Sequence, residues 1–192
     1  MDKIILASGS PRRRALLQNY GLDIEISVPE FDESSVNEKQ PQNLVIELAR
    51  GKNRCIKSDK IVISADTVVT LDGKILGKPK DKNDARKMLR LLSSKTHTVF
   101  TGVCISKGDR EFCFYEHTDV TFYKLSDKQI ELYINTDSPY DKAGGYGIQD
   151  DMGIGFVKEV SGELSNVIGL PMASVITVID KLQGENDEKT KF

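Results

Sequence analysis

A four-residue apolar run, Ile4-Ile5-Leu6-Ala7, is stopped by Ser8-Gly9-Ser10-Pro11 and resumes as Arg12-Arg13-Arg14-Ala15-Leu16-Leu17. The run fits a buried strand. Ser10 suits a helix N-cap, and Pro11 suits the first helical position, where its missing N–H costs nothing. The chain therefore opens as strand, tight turn, helix. Cations in the first turn of a helix oppose its dipole, so Arg12 and Arg13 work against stability there. They also add to the field of free backbone N–H groups, as an anion site requires, and a guanidinium fork matches phosphate oxygens. The alternative is a solvated basic patch; the adjoining turn of small residues favours phosphate.

A length of 192 residues is ample for a core and suits one domain, with room for two lobes. The net charge of -2 argues against a general nucleic-acid binder, which needs a broad basic face. No stretch approaches the roughly 18 apolar residues of a membrane span. Met1-Asp2-Lys3-Ile4 opens without a signal-peptide core, so a cytoplasmic protein with no membrane or nucleic-acid partner is expected. Cys55, Cys104 and Cys113 are odd in number and lack C-x-x-C spacing, the pattern of reduced, mostly buried thiols. Residues 1–183 read as one domain, and the charged stretch 184–192 as a fraying tail.

Asp23–Val28 alternates as a strand does, and Pro29–Gln42 reads as a polar loop that carries Glu33 back over the first turn. From Asn43 a helix sets Leu44, Val45, Leu48, Ala49, Cys55 and Ile56 on one stripe. Lys52 falls near the middle of that stripe, so it either snorkels past the helix end or points at an anion. Ile61–Ala65 reads as a short central strand ending at Asp66-Thr67. Asp66 either caps a turn or stands where open α/β sheets bind ligands.

Asp72-Gly73 suits a type I′ hairpin, and Gly77-Lys78-Pro79 holds Lys78 in an extended segment. A helix follows Asp81–Asp84, then two strands joined around Lys107-Gly108-Asp109. His97, in the first of these, reads as structural. Ser126-x-x-Gln129 is a capping box. Asp141-Lys142-Ala143-Gly144-Gly145-Tyr146-Gly147-Ile148-Gln149 concentrates glycine where positive φ or close backbone approach is needed. Asn166-Val167-Ile168-Gly169-Leu170-Pro171 leads into a last helix. Hairpins mixed with helices imply a mixed sheet.

Basic groups at Arg12, Arg13, Lys52 and Lys78 with carboxylates at Glu33 and Asp66 suit hydrolysis of a polyphosphate. Cations neutralise phosphate oxygens, carboxylates hold Mg²⁺ or a similar hard ion, and one carboxylate deprotonates water. Spacing alone does not bring these residues together.

Leu6-Ala7-Ser8-Gly9-Ser10-Pro11-Arg12-Arg13, Ser64-Ala65-Asp66-Thr67-Val68-Val69, Gly77-Lys78-Pro79, His97–Val103, Asp141–Gln149 and Asn166–Pro171 resemble the Maf family. These are the nucleoside triphosphate pyrophosphatases also called septum-formation inhibitors. The resemblance implies an α/β fold with a mixed twisted sheet, flanking helices and two lobes around a cleft, similar to inosine triphosphate pyrophosphatases. It implies release of a monophosphate and pyrophosphate with Mg²⁺ or Mn²⁺, and it implies a homodimer. By the same resemblance Asp66 is the proton acceptor and Glu33 matches a site position; Glu33 with Asp66 is expected to hold the metal. Arg12, Thr67 and Gln149 bear on substrate choice, while Ser8, Arg13, Lys52 and Lys78 match substrate-site positions. The block ending in Gln149 is similar to the branch acting on dTTP and UTP. A glutamine amide, with one donor side and one acceptor side, can pair with N3–H and a carbonyl of thymine or uracil. The alternatives are a 7-methyl-GTP pyrophosphatase and a non-catalytic nucleotide-binding regulator of cell division. Ser94 departs from the family by standing where glycine is usual, and Gly145 by standing where alanine is common.

Overall fold

The computed structural model describes residues 3–188. In chain order the elements are β1 (Ile4–Leu6), α1 (Pro11–Asn19), β2 (Ile24–Ile26), α2 (Pro41–Arg54), β3 (Val62–Leu71), β4 (Lys74–Leu76) and α3 (Lys82–Leu92). There follow β5 (Thr96–Lys107), β6 (Arg110–Phe122), α4 (Asp127–Ile134), β7 (Val157–Ser161), α5 (Leu164–Ile168) and α6 (Met172–Glu188). The strands pair in the order β2-β1-β3-β5-β6-β7, with β4 on β3. β1 is parallel to β2 and β3, whereas β3–β4 and β6–β7 are antiparallel, so the sheet is mixed as the pattern predicts.

Local chemistry accounts for most boundaries. Ser10 caps α1 by accepting the Arg13 N–H, Asp81 caps α3 by accepting the Asp84 N–H, and Ser126 and Gln129 form a complete capping box on α4. Asp72 and Gly73 turn β3 into β4 with φ of 50° and 75°, as a type I′ turn requires. α2 begins at Pro41, ahead of the expected Asn43, because proline suits the first turn. α6 is described to Glu188 within the stretch expected to fray; 189–192 lie outside the described residues.

The strand through Asp66 is a correction. Ile61–Ala65 does not end at Asp66-Thr67; β3 continues through both to Leu71, because Val68, Val69 and Thr70 prolong a β-branched run. Asp66 and Thr67 are its only half-exposed positions. Asp66 is thus a mid-strand acid, neither a turn cap nor a strand-end residue.

The described chain divides into two compact units, 3–66 with 101–116 and 169–188, and 67–100 with 117–168. The first packs Leu6, Leu17, Ile63, Val103, Ile105 and Ile179 into its own core, and the second packs Val69, Leu89, Leu92, Phe122, Tyr133 and Phe156. β3, β5 and β6 each contribute residues to both.

The cysteines also depart from expectation. Cys104 on β5 and Cys113 on β6 form a disulfide, with Cα atoms 4.1 Å apart, and Cys55 is exposed instead of buried. Parity and C-x-x-C spacing look along the chain, whereas this pair meets across neighbouring strands. No helix among the described residues is long and apolar enough to cross a membrane.

Candidate active site

In the first unit three charged side chains meet. Lys52, near the end of α2, sets Nζ 2.5 Å from Asp66 Oδ1 and 2.7 Å from Glu33 Oε1. The Lys52 and Asp66 side chains are 13% and 15% exposed, against 59% for Glu33. Asp66 is therefore the sheltered carboxylate and Glu33 the wet one. Lys52 does not snorkel out of its apolar stripe but points at anions. Glu33 arrives on a 3₁₀ turn, Glu33–Ser35, capped by Asp32. The loop ahead of it is seated by Phe31, whose ring occupies the space a Cβ on Gly51 would need, at 2.2 Å. Gly51 is the residue before Lys52, so one small position serves both partners of the ion pair.

Arg13 braces the other side. Its Nη1 donates to Ala65 O at 2.8 Å and to Ser8 Oγ at 3.2 Å, and its Nε donates to Gly169 O at 2.8 Å. Burial lowers the guanidinium's pKa, an effect opposed by the charge of Asp66. Arg13 thus ties the β1–α1 turn to the residue preceding Asp66. Ser8 Oγ also accepts the Ser10 N–H, and Arg12 is half-buried beside it on α1.

Thr67, Lys78 and Gln149 belong to the second unit. Thr67 is half-buried and follows Asp66 directly along β3. Lys78 is exposed, and the carbonyl of Gly77 before it accepts the Gly144 N–H at 3.0 Å. Gly144 and Gly145 both take positive φ, 71° and 72°, as their clustering predicts. Residues 144–148 are buried and Gln149 is exposed at their end. His97 is buried on β5, with Nε2 2.7 Å from the Tyr146 hydroxyl.

A family model described as Maf-like protein matches residues 3–182. The chain belongs to the Maf family. Similar proteins include a dTTP/UTP pyrophosphatase from Bacillus anthracis (strain CDC 684 / NRRL 3495), 46% identical over 92% of this chain and 93% of its own. Another dTTP/UTP pyrophosphatase, from Bacillus cereus (strain ATCC 10987 / NRS 248), is 46% identical over 92% of this chain and 88% of its own. Among solved structures, the Staphylococcus aureus Ham1 protein is similar over 63% of this Maf chain and 72% of its own, at 19% identity and a TM-score of 0.44.

Two buried polar residues of this Maf chain escaped the sequence reading. Asn53 Nδ2 donates to Val62 O at 3.1 Å and Cys104 O at 2.9 Å, and its Oδ1 accepts from Ser106 Oγ at 2.7 Å. Ser64 Oγ donates to Ala49 O at 2.7 Å. Both fasten α2 to the sheet next to Lys52 and Asp66. The available signal was a polar residue on an otherwise apolar face, which has to find partners when buried.

Glu33 and Asp66 are the residues here that could hold a hard divalent ion. Two oxygen donors converge on one cation, the Lys52 ammonium, and magnesium typically takes one or two protein carboxylates with the rest of its shell from water and phosphate.

Proposed function

We propose that this protein hydrolyses dTTP and UTP to the monophosphate and pyrophosphate. The observation carrying the reading is the Glu33–Lys52–Asp66 cluster beside an arginine-braced turn, in a chain whose Maf relatives bear that activity in their names. Phosphoryl chemistry needs positioning and charge stabilisation more than a protein nucleophile, and this cluster is rich in both.

In the proposed reaction a water oxygen bonds to the α-phosphorus while the bond to the bridging oxygen of the β-phosphate breaks. Asp66 accepts the water's proton, and pyrophosphate departs. An ammonium has three donors, so Lys52 can serve both carboxylates and a phosphate oxygen. Arg12, Arg13 and Lys78 supply further positive charge to the triphosphate, with Ser8 as a substrate contact, while Ser8 and Arg13 also hold the turn and the Ala65 carbonyl in register with Asp66. Glu33 and Asp66 would hold Mg²⁺ or Mn²⁺, which when bound neutralises developing charge on phosphate oxygens. Gln149 reads N3–H and a carbonyl of the pyrimidine, with Thr67 beside Asp66 as a further substrate contact.

The test is pyrophosphate release by the purified protein with Mg²⁺ or Mn²⁺ across dTTP, UTP, CTP, dATP, GTP and 7-methyl-GTP. Selective turnover of dTTP and UTP is expected. Turnover centred on 7-methyl-GTP would overturn the base assignment and keep the chemistry; binding without turnover would overturn the enzyme.

A further inference from the structure

Gln149 sits at the tip of a turn. The Asp150 N–H donates to Gly147 O at 3.1 Å, closing a four-residue turn with Ile148 and Gln149 at its centre. Ile148 is 5% exposed and anchors the turn from below, while Gln149 faces solvent. Both ends of the turn converge on one hydroxyl. The Gly147 N–H donates to Tyr133 Oη at 2.9 Å, and Tyr133 Oη donates to Asp150 Oδ2 at 2.8 Å.

Tyr133 itself cannot shift easily. It lies on α4, is 1% exposed, and packs edge-on against Phe156 with ring centroids 5.0 Å apart. Burial raises its pKa, so the phenol keeps the proton it donates. Asp150 Oδ2 also accepts from Ser138 Oγ and lies 3.5 Å from Lys142 Nζ. A side chain at Gly147 would collide with this arrangement, its Cβ falling 2.4 Å from Asp150 Oδ2 and 2.6 Å from Lys142 Cε.

We propose that the Tyr133 hydroxyl, with Asp150, is the positioning group for pyrimidine selectivity, because it bonds the residues on both sides of the turn that carries Gln149. The inference rests on the reading of Gln149 as the base contact. A glutamine amide can turn over and offer cytosine the opposite donor–acceptor pattern. Discrimination of uracil from cytosine then depends on holding the amide at one place relative to the base, and that begins with the backbone from which it emerges. Tyr133 touches neither substrate nor metal; it acts through Gln149.

The test measures kcat and KM for UTP and CTP in the wild type and in Tyr133→Phe, Asp150→Ala, Asp150→Asn and Gln149→Ala. Loss of both hydrogen bonds of the hydroxyl in Tyr133→Phe should lower the UTP-to-CTP ratio of kcat/KM by about three- to tenfold, chiefly through KM for UTP. Asp150→Ala should do the same. Asp150→Asn, which keeps an oxygen to accept from Tyr133, should restore the ratio. An equal loss on both nucleotides, or an unchanged ratio, in Tyr133→Phe and Asp150→Ala would overturn the proposal, since a scaffold residue does not discriminate between bases. If Tyr133→Phe does not fold, the two Asp150 variants decide. Gln149→Ala separates the two readings. A ratio it leaves intact removes Gln149 as base reader and the inference with it, whereas a ratio lost there but kept in Tyr133→Phe overturns the positioning role alone.

Discussion

Lys52 Nζ and Asp66 Oδ1 stand 2.5 Å apart, joining the end of α2 to the middle of β3. Helix and strand reach this contact through ties that flank it. Asn53 bonds Val62 and Cys104, Ser64 bonds Ala49, and Arg13 bonds Ala65. The charged pair is therefore held by neighbouring residues on both elements.

Asp66→Asn should lose about 10² to 10⁴ in kcat, the usual contribution of a general base. The fold should survive, because the amide is nearly isosteric and can still accept from Lys52. Steady-state turnover of dTTP with circular dichroism as the control checks this. Near-normal turnover would sink Asp66 as the base.

Stability should fall in acid through His97. Burial depresses its pKa from 6.5 to about 4, with Asp119 opposing the shift. The unfolded chain then binds the proton more tightly than the folded one. The neutral imidazole's contribution is fully present above about pH 6.5, declines as pH falls towards 4, and is gone below that. The shift corresponds to about 3 kcal/mol. Urea unfolding between pH 7 and pH 4 should show this slope, and His97→Gln should flatten it.

Ser94 takes a φ of 59°, at the position where its departure from the family replaces glycine. A side chain in the left-handed region costs about 1–2 kcal/mol, partly offset by the entropy glycine loses on folding. Ser94→Gly should therefore gain about 0.5–1 kcal/mol, and Ser94→Val should lose stability. Urea midpoints of the three proteins decide the sign.

The Cys104–Cys113 disulfide closes a loop with a sequence separation of 9. Under the chain-entropy account, closing so short a loop is worth about 2–3 kcal/mol. Reduction should lower the unfolding free energy by that amount. Alkylation of the denatured, unreduced protein followed by mass measurement should label Cys55 alone; three labels would show that the bond does not form.

Much of the fold was legible because it is encoded locally. Ser10, Asp81 and Ser126 cap the helices they precede, Asp72-Gly73 makes its hairpin, and Gly144 and Gly145 take the positive φ their clustering implies. β3 was less legible, since an acid within an apolar run reads as the end of a strand unless its counter-charge is known. The cysteine pairing was illegible for a related reason, as it depends on strand register.

The sequence by itself determined the α/β order of elements, the inventory of charged side chains and, through its ordered motifs, membership of the Maf family. Those are properties of residue type and spacing. Only the tertiary structure decided that Lys52 turns toward Glu33 and Asp66, that Arg13 serves Ala65 and Gly169, and that Tyr133 joins Gly147 to Asp150. Each joins residues on different segments of the chain, and such contacts exist only once packing has brought the segments within the roughly 3 Å reach of a hydrogen bond.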